Sequence, residues 1–133
     1  MDRTKFQIIE EEKKDILKRT YKFGLRTIYI ANKLGKTAAT YRIIDQLIGA
    51  GTSVGSNAEE ASAGFSRNDF TYKMSVASKE AREANYWLRL IRDSGLVKDK
   101  SLLQEVLDAI DESEQIKRIL TSVVKTSQEK SRP

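Results

Sequence analysis

The chain contains no cysteine and no histidine, and its single proline is Pro133, the last of 133 residues. Without cysteine it has neither disulfides nor thiolate metal sites, which fits a reducing compartment. Without histidine, most metal sites and most acid–base chemistry lose their usual residue. Without an internal proline, nothing interrupts long helices from within. Long apolar runs are missing too: no stretch approaches the roughly 20 residues of a membrane-spanning helix, and no N-terminal run resembles a signal peptide. The expectation is a cytoplasmic protein that does not bind membranes and needs no cofactor.

What is present fits one domain spanning 1–133, with a core over about 11–125 and frayed tails at 1–9 and about 126–133. The formal charge of +5 is unevenly spread. Residues 1–35 hold nine Lys/Arg against five Asp/Glu and residues 67–100 hold eight against five, while 36–66 and 101–133 each come to −1. Two basic segments can line a surface that attracts phosphates.

Four segments carry helical periodicity. In the first, over about 11–34, Leu17, Tyr21, Gly24, Ile28 and Ala31 share one face, and a second row of Ile16, Thr20, Phe23, Thr27, Ile30 and Leu34 follows the same rhythm beside it. Glu10, Glu11 and Glu12 precede Lys13 and Lys14, which suits the positive end of a helix dipole. Gly35 can stop this helix, and Thr37 or Thr40 can cap the next, over about 38–62. Its row is Ile43, Leu47, Ala50, Val54, Asn57 and Ala61, with Gly51, Gly55 and Ala58 alongside. Gly64, Ser66 and Asp69 mark the start of a third helix whose row is Phe70, Met74, Ala77, Ala81, Ala84, Leu88 and Ile91. Its alanines complement the small residues of the second segment, so those two helices should pack as an antiparallel hairpin. Gly95 ends it, Asp99 or Ser101 caps a fourth, and there Leu102, Val106, Ala109, Ser113, Ile116, Leu120 and Val123 form the row. An all-α, antiparallel up-down-up-down four-helix bundle is the simplest solution.

Several motifs invite chemistry. The run Gly49 to Gly55 is glycine-rich, but Val54 stands where a dinucleotide fingerprint needs glycine and no Gly-Lys-Ser/Thr follows, so close helix packing explains it. Glu59, Glu60, Glu80 and Glu83 could converge between the second and third helices, yet a di-iron site lacks its histidines and no cleft is evident for paired-acid hydrolysis. A non-enzymatic protein is expected. Asn57 interrupts an apolar row, and its amide needs a partner such as a glutamate of the third helix, giving a structural polar network of Asn57, Glu60 and Glu83. The off-row residues Phe23, Trp87 and Leu90 suggest a subunit interface, since one bundle would struggle to bury them.

The run from Gln46 to Ile91 resembles a family of bacterial four-helix-bundle proteins encoded in intervening sequences of large-subunit ribosomal RNA genes, and the related accessory variability determinant of diversity-generating retroelements. The family's Asn-Ile-Ala-Glu-Gly pattern stands here as Asn57-Ala58-Glu59-Glu60-Ala61, where Asn57 and Glu60 match and Ala61 replaces the glycine. Its Asp-Phe helix start stands as Ser66-Arg67-Asn68-Asp69-Phe70. In Ala77-Ser78-Lys79-Glu80-Ala81-Arg82-Glu83, Glu83 matches and Lys79 departs from the family serine. The resemblance implies an antiparallel four-helix bundle, homopentamers around a positively charged channel and, for the retroelement relatives, binding to nucleic acid and to a reverse transcriptase.

Charge and resemblance together lead to a homo-oligomer that binds nucleic acid, structured RNA in particular, through phosphates at Lys18, Lys22, Arg26, Arg82 and Arg89 and without base readout. The sequence shows neither an arginine-rich arm nor an aromatic stacking platform. The alternative is a scaffold that docks a partner protein such as a reverse transcriptase around Phe23, Trp87 and Leu90.

Overall fold

Helix ends are set by side chains that satisfy free backbone groups. A computed structural model describes residues 5–131, with side chains over 15–130, as α1 (Lys5–Lys33), α2 (Ala38–Ser62), α3 (Arg67–Asp93) and α4 (Lys100–Ser131). No strand occurs among the described residues. Thr37 caps α2 by accepting from the Thr40 N–H at 3.2 Å, while the Thr40 hydroxyl accepts from the Thr37 N–H at 2.7 Å. Ser66 accepts from the Asp69 N–H at 3.1 Å to start α3, and Asp99 accepts from the Leu102 N–H at 3.0 Å to start α4. Beyond α3 the chain turns through Gly95 at φ +78°, a left-handed conformation that favours glycine.

The ends of the chain are more helical than its composition suggests. α4 continues through 126–131 where a frayed tail is expected, because Ser127 is buried and its hydroxyl meets that of Thr71. α1 begins at Lys5, so Glu10 to Glu12 lie beyond the first turn, where the helix dipole acts most strongly. Of the expected tails, residues 1–4 and 132–133 lie outside the described residues.

The apolar rows of α2, α3 and α4 form the core as their spacing predicts: Leu47, Val54, Met74, Leu88, Ile91, Val106, Ile116 and Leu120 are all fully buried. In α1 the two rows exchange roles. Ile16, Thr20, Phe23, Thr27, Ile30 and Leu34 point inward, whereas Tyr21 and Ile28 of the other row are exposed. Threonine can be buried here because each hydroxyl bonds its own helix, Thr20 to the Leu17 carbonyl at 3.1 Å and Thr27 to the Gly24 carbonyl at 2.8 Å.

α1 packs against α2 and α4, and α3 packs against the same two helices. α1 and α3 do not meet among the described residues, so they occupy opposite corners. Hydroxyl and amide contacts space the α3–α4 seam at heptad intervals along α3: Thr71 with Ser127, Ser78 with Thr121 at 3.1 Å, and Asn85 with Ser113 at 2.9 Å. On the α1–α2 seam Gly51 and Gly55 of α2 face α1, which corrects their assignment to α3: a Cβ on Gly55 would lie 3.2 Å from the Thr20 backbone.

Candidate nucleic-acid interface

The five predicted phosphate ligands separate into two groups. Lys18 and Lys22 are exposed and Arg26 is half-buried on α1, while Arg82 and Arg89 are exposed on α3 at the opposite corner. One chain therefore cannot join them into a single face. The two groups also differ in electrostatic purity. Between Asp15 and Asp45 there are seven Lys/Arg and no acid, a signal already present in the sequence that segment totals conceal. Of these cations Arg19 is neutralised locally, bridging to Glu112 of α4 and donating to Gln115 at 3.0 Å. The guanidinium is correspondingly held more firmly protonated, chiefly by its hydrogen bond to Glu112. On α3, by contrast, acids are interspersed among the cations: Arg92 pairs with Asp93 at 2.7 Å, lowering the carboxyl pKa through that hydrogen bond. Arg89 donates to the Asn85 side-chain oxygen at 2.8 Å and lies 5.9 Å from the centre of the Tyr86 ring.

The expected polar network does not form. Asn57 is half-buried and donates to the Ser53 carbonyl of its own helix at 2.8 Å, Glu60 is exposed, and no hydrogen bond among the described residues joins either to Glu83. The buried amide is Asn85, which donates to Ser113 and accepts from Arg89. Ser113 in turn donates to the Ile110 carbonyl at 2.7 Å, so both polar side chains are satisfied.

Glu80, half-buried on α3, has a raised pKa because burial disfavours its charge and Glu83 repels it, with Lys79 opposing. The folded chain thus keeps this proton to higher pH than the unfolded chain. Its contribution is fully present below the unfolded carboxylate range and is lost as pH rises through the folded pKa. In urea titrations between about pH 4 and pH 7, the parent should lose more stability than Glu80→Gln, and the variant should equal or exceed the parent at the upper end. A variant weaker than the parent there would show that the carboxylate is stabilising.

Phe23, Trp87 and Leu90 do not form the common exposed surface expected of them. Phe23 is only 1% exposed and belongs to the chain's own core, so it cannot present an interface. Trp87 is half-buried against that core and stacks edge-on with Tyr86 at 5.3 Å, and its indole N–H is enclosed with no acceptor among the described residues. Leu90 is exposed. Among the described side chains of α1, the large exposed apolar ones are Tyr21, Leu25, Ile28 and Tyr29.

Two of the grooves among the described residues flank α1. The larger, about 710 Å³, includes Ile16, Phe70, Met74, Ile119 and Val123 in its lining and adjoins the part of α1 whose side chains are outside the described residues. The smaller, about 370 Å³, runs along the α1–α2 seam past Tyr21, Gly24, Leu25, Ile28 and Gly55.

Residues 12–122 match the family model described as 23S rRNA-intervening sequence protein. The chain belongs to this family. A solved structure from Bacteroides thetaiotaomicron, described as a protein of unknown function from the S23 ribosomal protein family, is 26% identical. It is similar with a TM-score of 0.75, over 86% of this chain and 98% of its own. No curated protein matches the chain. Membership accounts for the four helices and the absence of strands among the described residues, and no described helix is long and apolar enough to cross a membrane.

Proposed function

We propose that the chain is a non-enzymatic, cytoplasmic, nucleic-acid-binding protein, built as an antiparallel up-down-up-down bundle and assembled as a homopentamer. It engages structured RNA through phosphates, without reading bases. The observation that carries this is the exposed cationic row of α1, Lys18 and Lys22, inside a stretch of chain that contains no acid. A polyanion meets no local repulsion there, and each phosphate neutralised releases condensed counterions. Oligomerisation is part of the reading, because contact between copies is what would bring an α1 row beside an α3 row.

Fluorescence anisotropy with a structured RNA, read across a salt series with mass measured by light scattering, tests this. Binding should weaken steeply with salt, and Lys22→Gln should reduce the log–log slope by about one. Affinity indifferent to salt would remove the proposal. Exposed Tyr86 and Leu90 on α3 favour a second reading, a scaffold that docks a partner protein such as a reverse transcriptase. Absence of RNA binding at low salt, with a nuclease-resistant protein partner at fixed stoichiometry, would favour that scaffold.

A further inference from the structure

We propose that the outer face of α1 takes unpaired nucleotides, stacking their bases on Tyr21 and Tyr29 while Lys18 and Lys22 hold the phosphates. This rests on the nucleic-acid reading above and specifies which form of nucleic acid the α1 face selects.

At 100° per residue, Lys18, Lys22, Leu25 and Tyr29 fall in one stripe about 60° wide, and Tyr21 lies about 40° beyond its edge, on the side of the α1–α2 seam. Tyr21 and Tyr29 are 62% and 49% exposed, so this fold gains little from them, and they supply the aromatic platform that the sequence did not reveal. Eight residues separate the two, or roughly 12 Å along the helix, which suits bases that are not immediate neighbours. Stacking on an aromatic side chain needs only the flat face that every base has, so it requires no base readout. Lys33 Nζ already lies 5.6 Å from the centre of the Tyr29 ring, giving a joint cationic and aromatic surface.

The seam beside Tyr21 supplies a second observation. Gly24 and Gly55 bring α1 and α2 close and leave the 370 Å³ recess, walled by Leu25 and Ile28, with Glu59 the single acid in its lining. Besides these walls the lining holds Thr20, Thr52 and Ser56 and the one carboxylate but no cation, which disfavours a phosphate. The walls and the carboxylate suit a base, which offers an apolar face to the leucine and isoleucine and exocyclic amine hydrogens to the carboxylate. Recess and cationic stripe thus divide a nucleotide into its two chemical parts. A duplex, whose bases are already paired and stacked on one another, satisfies only the stripe.

The test compares two labelled strands of equal length and charge on the full chain by anisotropy: an oligoadenylate and an abasic sugar-phosphate strand. The oligoadenylate should bind roughly tenfold more tightly. Tyr21→Leu with Tyr29→Leu should abolish that preference and leave abasic binding unchanged, whereas Tyr21→Phe with Tyr29→Phe should keep it. Equal, salt-sensitive binding of both strands by the parent overturns stacking and leaves the phosphate reading standing. Failure of both strands to bind at low salt overturns both proposals. A change of mass in the leucine variant by light scattering identifies the rings as contacts between copies and overturns this assignment of the face.

Discussion

Replacing Phe23 with alanine is expected to lower the stability of the folded chain by about 3–5 kcal/mol, the range for losing a buried aromatic side chain. Phe23 is fully enclosed with Ile16, Ile30 and Leu34 of its own helix, in the same core as Leu47 and Leu120. Its removal forfeits both the transfer of the ring out of water and the contacts around the cavity left behind. Against a typical total of about 5–15 kcal/mol, this is a large share. The measurement is urea unfolding followed by circular dichroism at several protein concentrations, since subunit association would add a concentration-dependent term. A lower midpoint with an unchanged slope is the expected result. If the variant instead dissociates into subunits that unfold at the parental midpoint, the side chain belongs to an interface and its placement in the core is wrong.

Two glycines, separated by one residue, should respond to alanine with opposite signs. At Gly49 a Cβ would meet nothing within 4 Å, so Gly49→Ala should stabilise by about 0.8–1 kcal/mol through helix propensity alone. At Gly51 the same atom would lie 2.6 Å from Thr27 Cγ2 and 2.8 Å from its Cβ, and would also press on the hydroxyl. Thr27 is a poor neighbour to displace. It is β-branched, fully buried and tied to the Gly24 carbonyl. Gly51→Ala should therefore cost about 1–3 kcal/mol despite its better propensity, the usual range for overpacking. Thermal unfolding of both variants checks the sign. Adding Thr27→Ala to Gly51→Ala should recover much of the loss as a positive coupling between the two sites, and simple additivity would show that the clash relaxes elsewhere.

These contacts explain which parts of the fold were legible. The α3 row from Met74 to Ile91 is alone on its helix in keeping 3–4 spacing without a rival, and it is buried as read. On α1 two neighbouring rows have the same rhythm, and periodicity locates a stripe more surely than its centre. What decides between them is chemical: threonine hydroxyls can bond the preceding turn and fit against glycine, whereas tyrosine hydroxyls stay with water. Neither fact can be had from spacing without knowing that α2 faces α1. Asn57 and Asn85 show the same limit. An asparagine inside an apolar row attracts notice, but the Ser53 carbonyl satisfies the first locally, while the second depends on Ser113, 28 residues away in sequence. The cationic residues were visible one by one. Their division between opposite corners depends on packing order, which the charge totals do not carry.

The acid-free stretch and its surroundings also give the bundle a direction. Between Lys100 and Lys117, α4 has five acids and no Lys/Arg, and it lies beside α1 at the level where Arg19 meets Glu112. Over that stretch the neighbouring corners therefore carry opposite sign, and an electric moment crosses that part of the bundle perpendicular to its helices. A polyanion exerts a torque on such a molecule before any contact is made, turning α1 forward and α4 away. For the proposed nucleic-acid ligand, docking would then begin from a small set of poses, and collisions that lead with the wrong corner would be rejected in solution.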